Sequence, residues 1–490
     1  MARGPREPVV CPPPEIEGSQ PQAPGGFDLL RVPGVRGLVS WRGFPYVLQT
    51  VTLAAFLALL VIGWQRYTPP GVSQKLYAQT NLATLVVWGL WWPAMVWLTV
   101  FLGRVWCMVC PLELISNVSE RLGEHLGLRQ GPLRPWVASG TLIAVFYAVI
   151  QLFVAGAEIR RVPAYTSFFL IGLLLLAVLT GLFLKDRAFC RGFCPVGLLL
   201  NAYGRGGMLA VRAGSGETCR ACTGKDCIRA CNRNKADGRS CPSLLNVPAL
   251  NDSKDCLFCG QCVKACKPGN VRLLLRPPFS GSDTRDAMAS WPMTFFVMLV
   301  SGFVLWELTS EWRAAEDFFV AIPNWVAQHA SAPWLSGYIT GLWAMAVVPL
   351  MVWSLFTFLA WILGFREGFG ATWRRLALPM TVVIAAGHMA KGLAKLALWA
   401  GFLPYAIEDP SGLHTAAAIT GGALQAPATL MAKPAIALAA AAFVAVSVLL
   451  AAREMRLADP GQTRRAFVVP LLVMGGVSVF LVLGWGFPVR

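Results

Sequence analysis

The chain reads as an all-α polytopic membrane protein: about nine transmembrane helices, N-terminus inside, C-terminus outside, interrupted by one soluble cysteine-rich insert. Three observations predict this. Of 490 residues, 56% are hydrophobic and only 14% charged, whereas soluble domains are about one quarter charged. Nine segments carry the roughly 20 apolar residues that a hydrocarbon core of about 30 Å demands: 44–64, 82–102, 136–156, 165–185, 291–308, 337–363, 374–403, 433–452 and 466–487. Lys and Arg divide unevenly between alternate connecting segments, 33 on one set and seven on the other. The richer set is retained on the cytoplasmic side, and it includes the insert.

Residues 1–43 are Pro-rich and polar, with no apolar run near the start. They read as a disordered cytoplasmic tail rather than a leader, with Cys11 a solitary thiol in it. The net charge of +17 follows from the retained cations and a basic insert. No aromatic residues interleave with them as a nucleic-acid surface would require, so a nucleic-acid partner is not expected. The protein is expected in a bacterial-type cytoplasmic (inner) membrane, multi-pass.

Residues 44–201 hold two helical hairpins with the same ending. The first closes on Arg104-Val-Trp-Cys107-Met-Val-Cys110-Pro111, the second on Arg187-Ala-Phe-Cys190-Arg-Gly-Phe-Cys194-Pro195. Asn117 and Asn201 follow the second cysteine of each by seven residues. Cysteines three or four apart share a helix face. Proline favours a first helical position and disfavours helix before it, so Cys110 and Cys194 are expected just ahead of new helices. The positive end of a helix there favours the thiolate that a metal needs. Cys107, Cys110, Cys190 and Cys194 are therefore a candidate redox or cluster site. The competing reading is a pair of small buried residues marking helix ends.

Residues 202–289 form the insert, with two further runs. Cys256, Cys259, Cys262 and Cys266 have the C-x2-C-x2-C-x3-C spacing of a cubane iron–sulfur ligand set. Cys219, Cys222, Cys227 and Cys231 repeat it with two residues added before the third. Such paired runs make a two-cluster ferredoxin-like insert, in which the fourth cysteine of each run serves the other cluster. This gives Cys219, Cys222, Cys227 and Cys266 to one 4Fe-4S cluster, and Cys256, Cys259, Cys262 and Cys231 to the other. Cys241, followed by Pro242, is a ninth cysteine and an alternative to Cys231 or Cys266. A single zinc in the first run is the rival reading, although zinc sites usually separate two short pairs by a longer loop. Disulfides are disfavoured on the cytoplasmic side, and clustered thiols there favour metal.

Residues 290–490 supply five more spans. Ionisable groups within a bilayer are costly and invite a functional hypothesis. His388, Lys391 and Lys395 lie at i, i+3 and i+7 on one face. His388 and Lys391 are candidates for a quinone head-group or proton site; haem ligation by His388 would need a second ligand at similar depth, and none is evident.

Hairpins ending in Cys-x-x(-x)-Cys-Pro, followed by a two-cluster insert, resemble the NapH/NosR-type membrane polyferredoxins over roughly residues 82–275. The family's Cys-x3-Cys-Pro maps onto Cys190, Cys194 and Pro195; the first copy, Cys107, Cys110 and Pro111, is one residue shorter. The resemblance implies a membrane-bound electron-transfer protein that exchanges electrons with a quinone or quinol pool and a protein redox partner, as a quinol dehydrogenase-type component. No soluble domain precedes the first span, so the covalent flavin of NosR-type members is not expected. The alternative of another class is a redox-dependent assembly or regulatory factor for a respiratory metalloenzyme. A transporter rests on span count alone.

Overall fold

The computed structural model describes residues 25–279, 288–330, 332–458 and 464–486; Cys11 lies outside the described residues. The chain opens with strand β1 (Phe27–Asp28) and helix α1 (Pro33–Ser40). Helix α2 (Tyr46–Gly63) leaves most of its apolar surface exposed, as a peripheral span would. Helix α3 (Leu82–Leu102) starts at Asn81, whose side chain accepts from the Ala83 and Thr84 N–H groups. It widens to a π-turn at Leu85–Trp91, just ahead of Pro93. Proline lacks an N–H and crowds the preceding turn, so the helix opens there.

After the first Cys-Pro motif, α4 (Pro111–His125) runs back along α6 (Pro163–Phe183), with the apolar helix α5 (Thr141–Gly156) between them in sequence. The second motif leads into the short α7 (Gly197–Gly204). Strands β2 (Leu209–Ala213) and β3 (Val271–Leu275) then bracket the cysteine runs. Helix α8 (Trp291–Thr309) re-enters the apolar region, followed by amphipathic α9 (Arg313–His329), then α10 (Pro333–Ile362), α11 (Phe369–Trp399), α12 (Lys433–Ala458) and α13 (Arg464–Gly484).

Eight of these helices are long and apolar enough to cross a membrane, and they coincide with eight of the nine segments expected from sequence. The other, α5, is apolar but only 16 residues long. Helix α11 is buried nearly all round, so it is the axis of the C-terminal half. One apolar core joins the halves, with Met95, Tyr147 and Leu199 packed in the same cluster as Phe296, Trp353 and Met380. At Gly302 of α8 a Cβ would stand 2.0 Å from the Ala344 carbonyl oxygen of α10, so these two helices meet backbone to backbone at the second wide turn, Trp343–Val347.

The tail departs from its composition. Sequence places residues 27–40 in a disordered segment, but the structure folds them onto the insert. Strand β1 pairs antiparallel with β3, which pairs with β2, in the order β1-β3-β2. The Asp28 carboxylate meets Arg272 at 2.9 Å. Two residues of strand are a weak sequence signal, and the Arg272 partner of Asp28 lies 244 positions away.

Candidate functional site

The two Cys-Pro endings fold alike. Cys107 sits in a single turn, Trp106–Val109, and Cys110 has extended backbone as the N-cap of α4, with Pro111 at the first helical position. Cys190 lies in a wide turn, Phe189–Phe193. Cys194 is extended behind it, and its carbonyl accepts from the Gly197 N–H at 2.9 Å. All four thiols line one cavity of about 320 Å³ whose remaining wall is almost wholly apolar. The repeat thus brings both cysteine pairs to a single place.

A charged collar surrounds these thiols, and motif reading missed it. Arg187 Nη2 donates to Cys190 Sγ at 3.3 Å, and Arg187 Nε pairs with Glu113 at 3.0 Å. Arg104 pairs with Asp255 of the insert at 3.2 Å. Arg239 of the insert reaches the same Glu113 at 3.7 Å and donates to Asn117 at 3.0 Å. Asn201 donates to Asp255 at 2.9 Å. The two asparagines of the repeat therefore both hold the insert. A signal for the arginines was present: each stands three residues before the first cysteine of its copy.

Within the insert, Cys219, Cys222, Cys227 and Cys266 lie within mutual electrostatic range. Asn270 ties two of them together, its N–H donating to Cys266 Sγ and its Nδ2 to Cys219 Sγ, both at 3.2 Å. The Lys225 N–H donates to Cys222 Sγ at 3.4 Å. The second set differs from the sequence expectation. Cys256, Cys259 and Cys262 line a small apolar pocket together with Cys241. Cys231 is exposed and does not line it. The reason is local: the Cys241 N–H bonds to the Cys227 carbonyl at 2.9 Å, and Pro242 follows, so the chain delivers Cys241 inward. Cys266 therefore lies among the cysteines of the first run, and Cys241, rather than Cys231, lies beside Cys256, Cys259 and Cys262.

Burial pushes the Cys227 thiol up to about 12, with Cys266 and Cys219 adding to the effect. Burial also raises Cys219, Cys256, Cys259 and Cys262. Iron must expel these protons to bind. Among the described residues no three His, Cys, Asp or Glu side chains converge on a single-ion site.

The three sets stand in file. Cys262 is within range of Cys227 of the first set, and Cys259 is within range of Arg187 and Glu113 in the membrane collar. The Cys241 set thus neighbours both the collar of the membrane thiols and the Cys266 set.

His388 and Lys391 do not line the large cavity but lie just behind its wall. His388 Nε2 accepts from Trp92 Nε1 at 3.2 Å, and Nδ1 meets Tyr203 Oη at 3.3 Å. Lys391 Nζ bonds Ser310 at 2.8 Å and Glu311 at 2.6 Å. Their polar atoms are engaged. Among the described residues lining the large cavity, Trp91 Nε1, Arg104 Nε, Tyr147 Oη and Gln151 Oε1 are buried without a hydrogen-bond partner.

Comparison with known proteins bears on the membrane repeat. Residues 84–129 and 166–212 match the family described as "4Fe-4S binding domain"; these stretches hold the two Cys-Pro endings and stop short of the insert's cysteines. The ferredoxin-type protein NapH of Escherichia coli (strain K12) is 27% identical over 179 residues, covering 33% of this chain and 59% of that protein. The methylamine utilization ferredoxin-type protein MauN of Paracoccus denitrificans (strain Pd 1222) is 28% identical over 173 residues, covering 33% and 56%. Protein NirI of the same organism is 27% identical over 272 residues, covering 51% and 36%. The chain thus spans under two thirds of the length of these relatives. No solved structure matches it.

Proposed function

Because its N-terminal half belongs to the NapH-type membrane polyferredoxin family, we propose that this chain carries electrons singly between a hydroquinone bound in the membrane and a protein partner docked on the insert. The observation that carries this reading is the file of three four-thiol sets leading away from one apolar membrane cavity.

Cys219, Cys222, Cys227 and Cys266 would hold one 4Fe-4S cluster, and Cys241, Cys256, Cys259 and Cys262 a second. Cys107, Cys110, Cys190 and Cys194 would hold a third. When bound, the clusters supply one-electron redox steps. The protein sets their surroundings. A cubane with four thiolates is anionic, and burying that charge in an apolar wall needs compensation. Arg104 and Arg187 provide it beside the membrane set. Donors to sulfur at Asn270, Lys225 and Arg187 favour the more negative, reduced state.

The cavity has the size of a small-molecule site. Its apolar wall suits an isoprenoid-bearing ring, and its polar atoms match the ring's two oxygens. Trp91 Nε1 and Tyr147 Oη donate, and Gln151 Oε1 accepts from a ring hydroxyl. On this reading the head group lies against α3 and α5, and His388 and Lys391 stand behind it. With the N-terminus inside, the insert faces the cytoplasm, as the excess of Lys and Arg on its side supports.

The test is anaerobic stopped-flow mixing of the oxidised protein with decylhydroquinone. Rapid, stoichiometric bleaching of the iron–sulfur absorbance is expected, and Gln151→Leu should slow it about tenfold or more. Clusters that stay oxidised under excess hydroquinone would contradict the reading. Combined with an unmetallated respiratory enzyme in a strain lacking this chain, that result would favour the assembly role.

A further inference from the structure

Behind the large cavity lies a second, smaller one of about 30 Å³, lined by Gln151, Arg160, Glu307, His388, Lys391 and Lys395 among others. That is room for a water molecule. The two cavities share Trp88, Trp92, Gln151 and Val154 as a common wall. Gln151 is 5% exposed, and its Oε1 has no hydrogen-bond partner. Beyond it stands an ionic file. Arg160 pairs with Glu307. Glu307 meets Lys391 at 3.6 Å, and Lys391 meets Glu311 at 2.6 Å. Lys395 lies over the Trp399 ring at 5.7 Å.

The file has a direction. Glu307 is at the end of α8 remote from the insert, and Arg160 lies in the α5–α6 connection on that same side. The Glu307 side chain is 6% exposed and that of Glu311 22%, so the file starts dry and ends near water. Arg160, Lys391 and Lys395 face Glu307 and Glu311, with Glu158 near Arg160 and Glu316 near Lys391. A structural clamp accounts for the pairing, but not for a water-sized cavity between Gln151 and these charged side chains.

We infer that Gln151, Glu307, Lys391 and Glu311 form a proton outlet leading from the large cavity to the membrane face opposite the insert. The inference rests on the hydroquinone reading above. Oxidation of one hydroquinone to quinone breaks two O–H bonds. The two electrons pass one at a time to the iron–sulfur centres, which are the oxidant. The two protons leave past Gln151, through the water-sized cavity, to the Glu307–Lys391–Glu311 pairs and the far side. Electrons and protons thus part to opposite faces, and turnover charges the membrane.

The experiment uses the full-length, cluster-loaded protein in sealed vesicles with decylhydroquinone in the bilayer. Ferricyanide outside, which does not cross the membrane, reaches only molecules whose insert faces outward. A pH dye is trapped in the lumen. The expected result is luminal acidification of about two protons per hydroquinone, matched to ferricyanide reduction and abolished by a protonophore. Glu307→Gln should slow both by about tenfold or more, while ferricyanide still reoxidises dithionite-reduced clusters at the normal rate. Glu311→Gln, at the wetter rim, tests the same path where folding is least at risk, and should slow luminal acidification with iron content unchanged. Protons appearing outside, with normal ferricyanide reduction, would overturn the outlet and leave the electron path standing. Fully loaded protein that oxidises no hydroquinone would overturn both.

Discussion

Cys241 shows what a single residue contributes that spacing cannot. By spacing it is a ninth cysteine outside both runs, yet the backbone bond to Cys227 and the proline after it turn its thiol into the pocket of Cys256, Cys259 and Cys262. Cys241→Ala should remove about four irons and one EPR signal, and Cys231→Ala should leave both unchanged. Equal losses in the two variants would restore the ligand exchange read from sequence. Arg187 makes a second residue-scale claim. It donates to Cys190 Sγ and balances the charge of the membrane set. Arg187→Gln should lower the potential of that centre by about 60 mV, the one-electron equivalent of a tenfold change in equilibrium. Redox-titrated EPR reads this directly, and an unmoved potential would deny Arg187 the role.

Between elements, the contact that matters joins the hairpin ends to the insert. Glu113 of α4 receives Arg187 from the second hairpin and Arg239 from the insert. All three side chains are buried. Removing the carboxylate strands two guanidinium groups, and breaking a buried pair costs about 3–5 kcal/mol. Glu113→Ala should therefore lower the thermal midpoint in detergent sharply and loosen the insert, seen as faster proteolysis between residues 202 and 289. An unchanged midpoint would mean that the insert is held elsewhere. Some of this architecture was legible in sequence. The duplicated Cys-Pro endings announced two equivalent hairpins, since a proline at the first turn and a cysteine ahead of it fix local geometry. The asparagines seven residues on marked the same register. Their partners, Arg239 and Asp255, lie 122 and 54 positions away, and no local pattern links such residues.

At the scale of the whole molecule, hydropathy set the helices because each span must satisfy its own backbone in lipid. What hydropathy could not reveal is how the spans enclose a cavity. The tryptophans of α3 read as packing or interfacial residues. In the structure Trp92 bonds His388, Trp88 bonds Thr166, and Trp91 faces the cavity. Those outcomes follow from a wide turn and from contacts up to 296 positions apart. The buried pair of Arg160 and Glu307 was equally invisible, since one lies in a connection and the other at a helix end. The C-terminal half, beyond the stretch that resembles the polyferredoxins, supplies Glu307, Lys391 and Glu311 to a path that begins in the N-terminal half. The two halves therefore form one device, with thiols on the insert side and paired charges on the other. Iron in all three thiol sets underlies both the electron path and the proton outlet. Anaerobic purification with iron and acid-labile sulfide quantitation measures that most directly. About twelve of each per chain are expected, from three cubanes. Zinc without sulfide, or about eight irons that persist after Cys190→Ala, would contradict it.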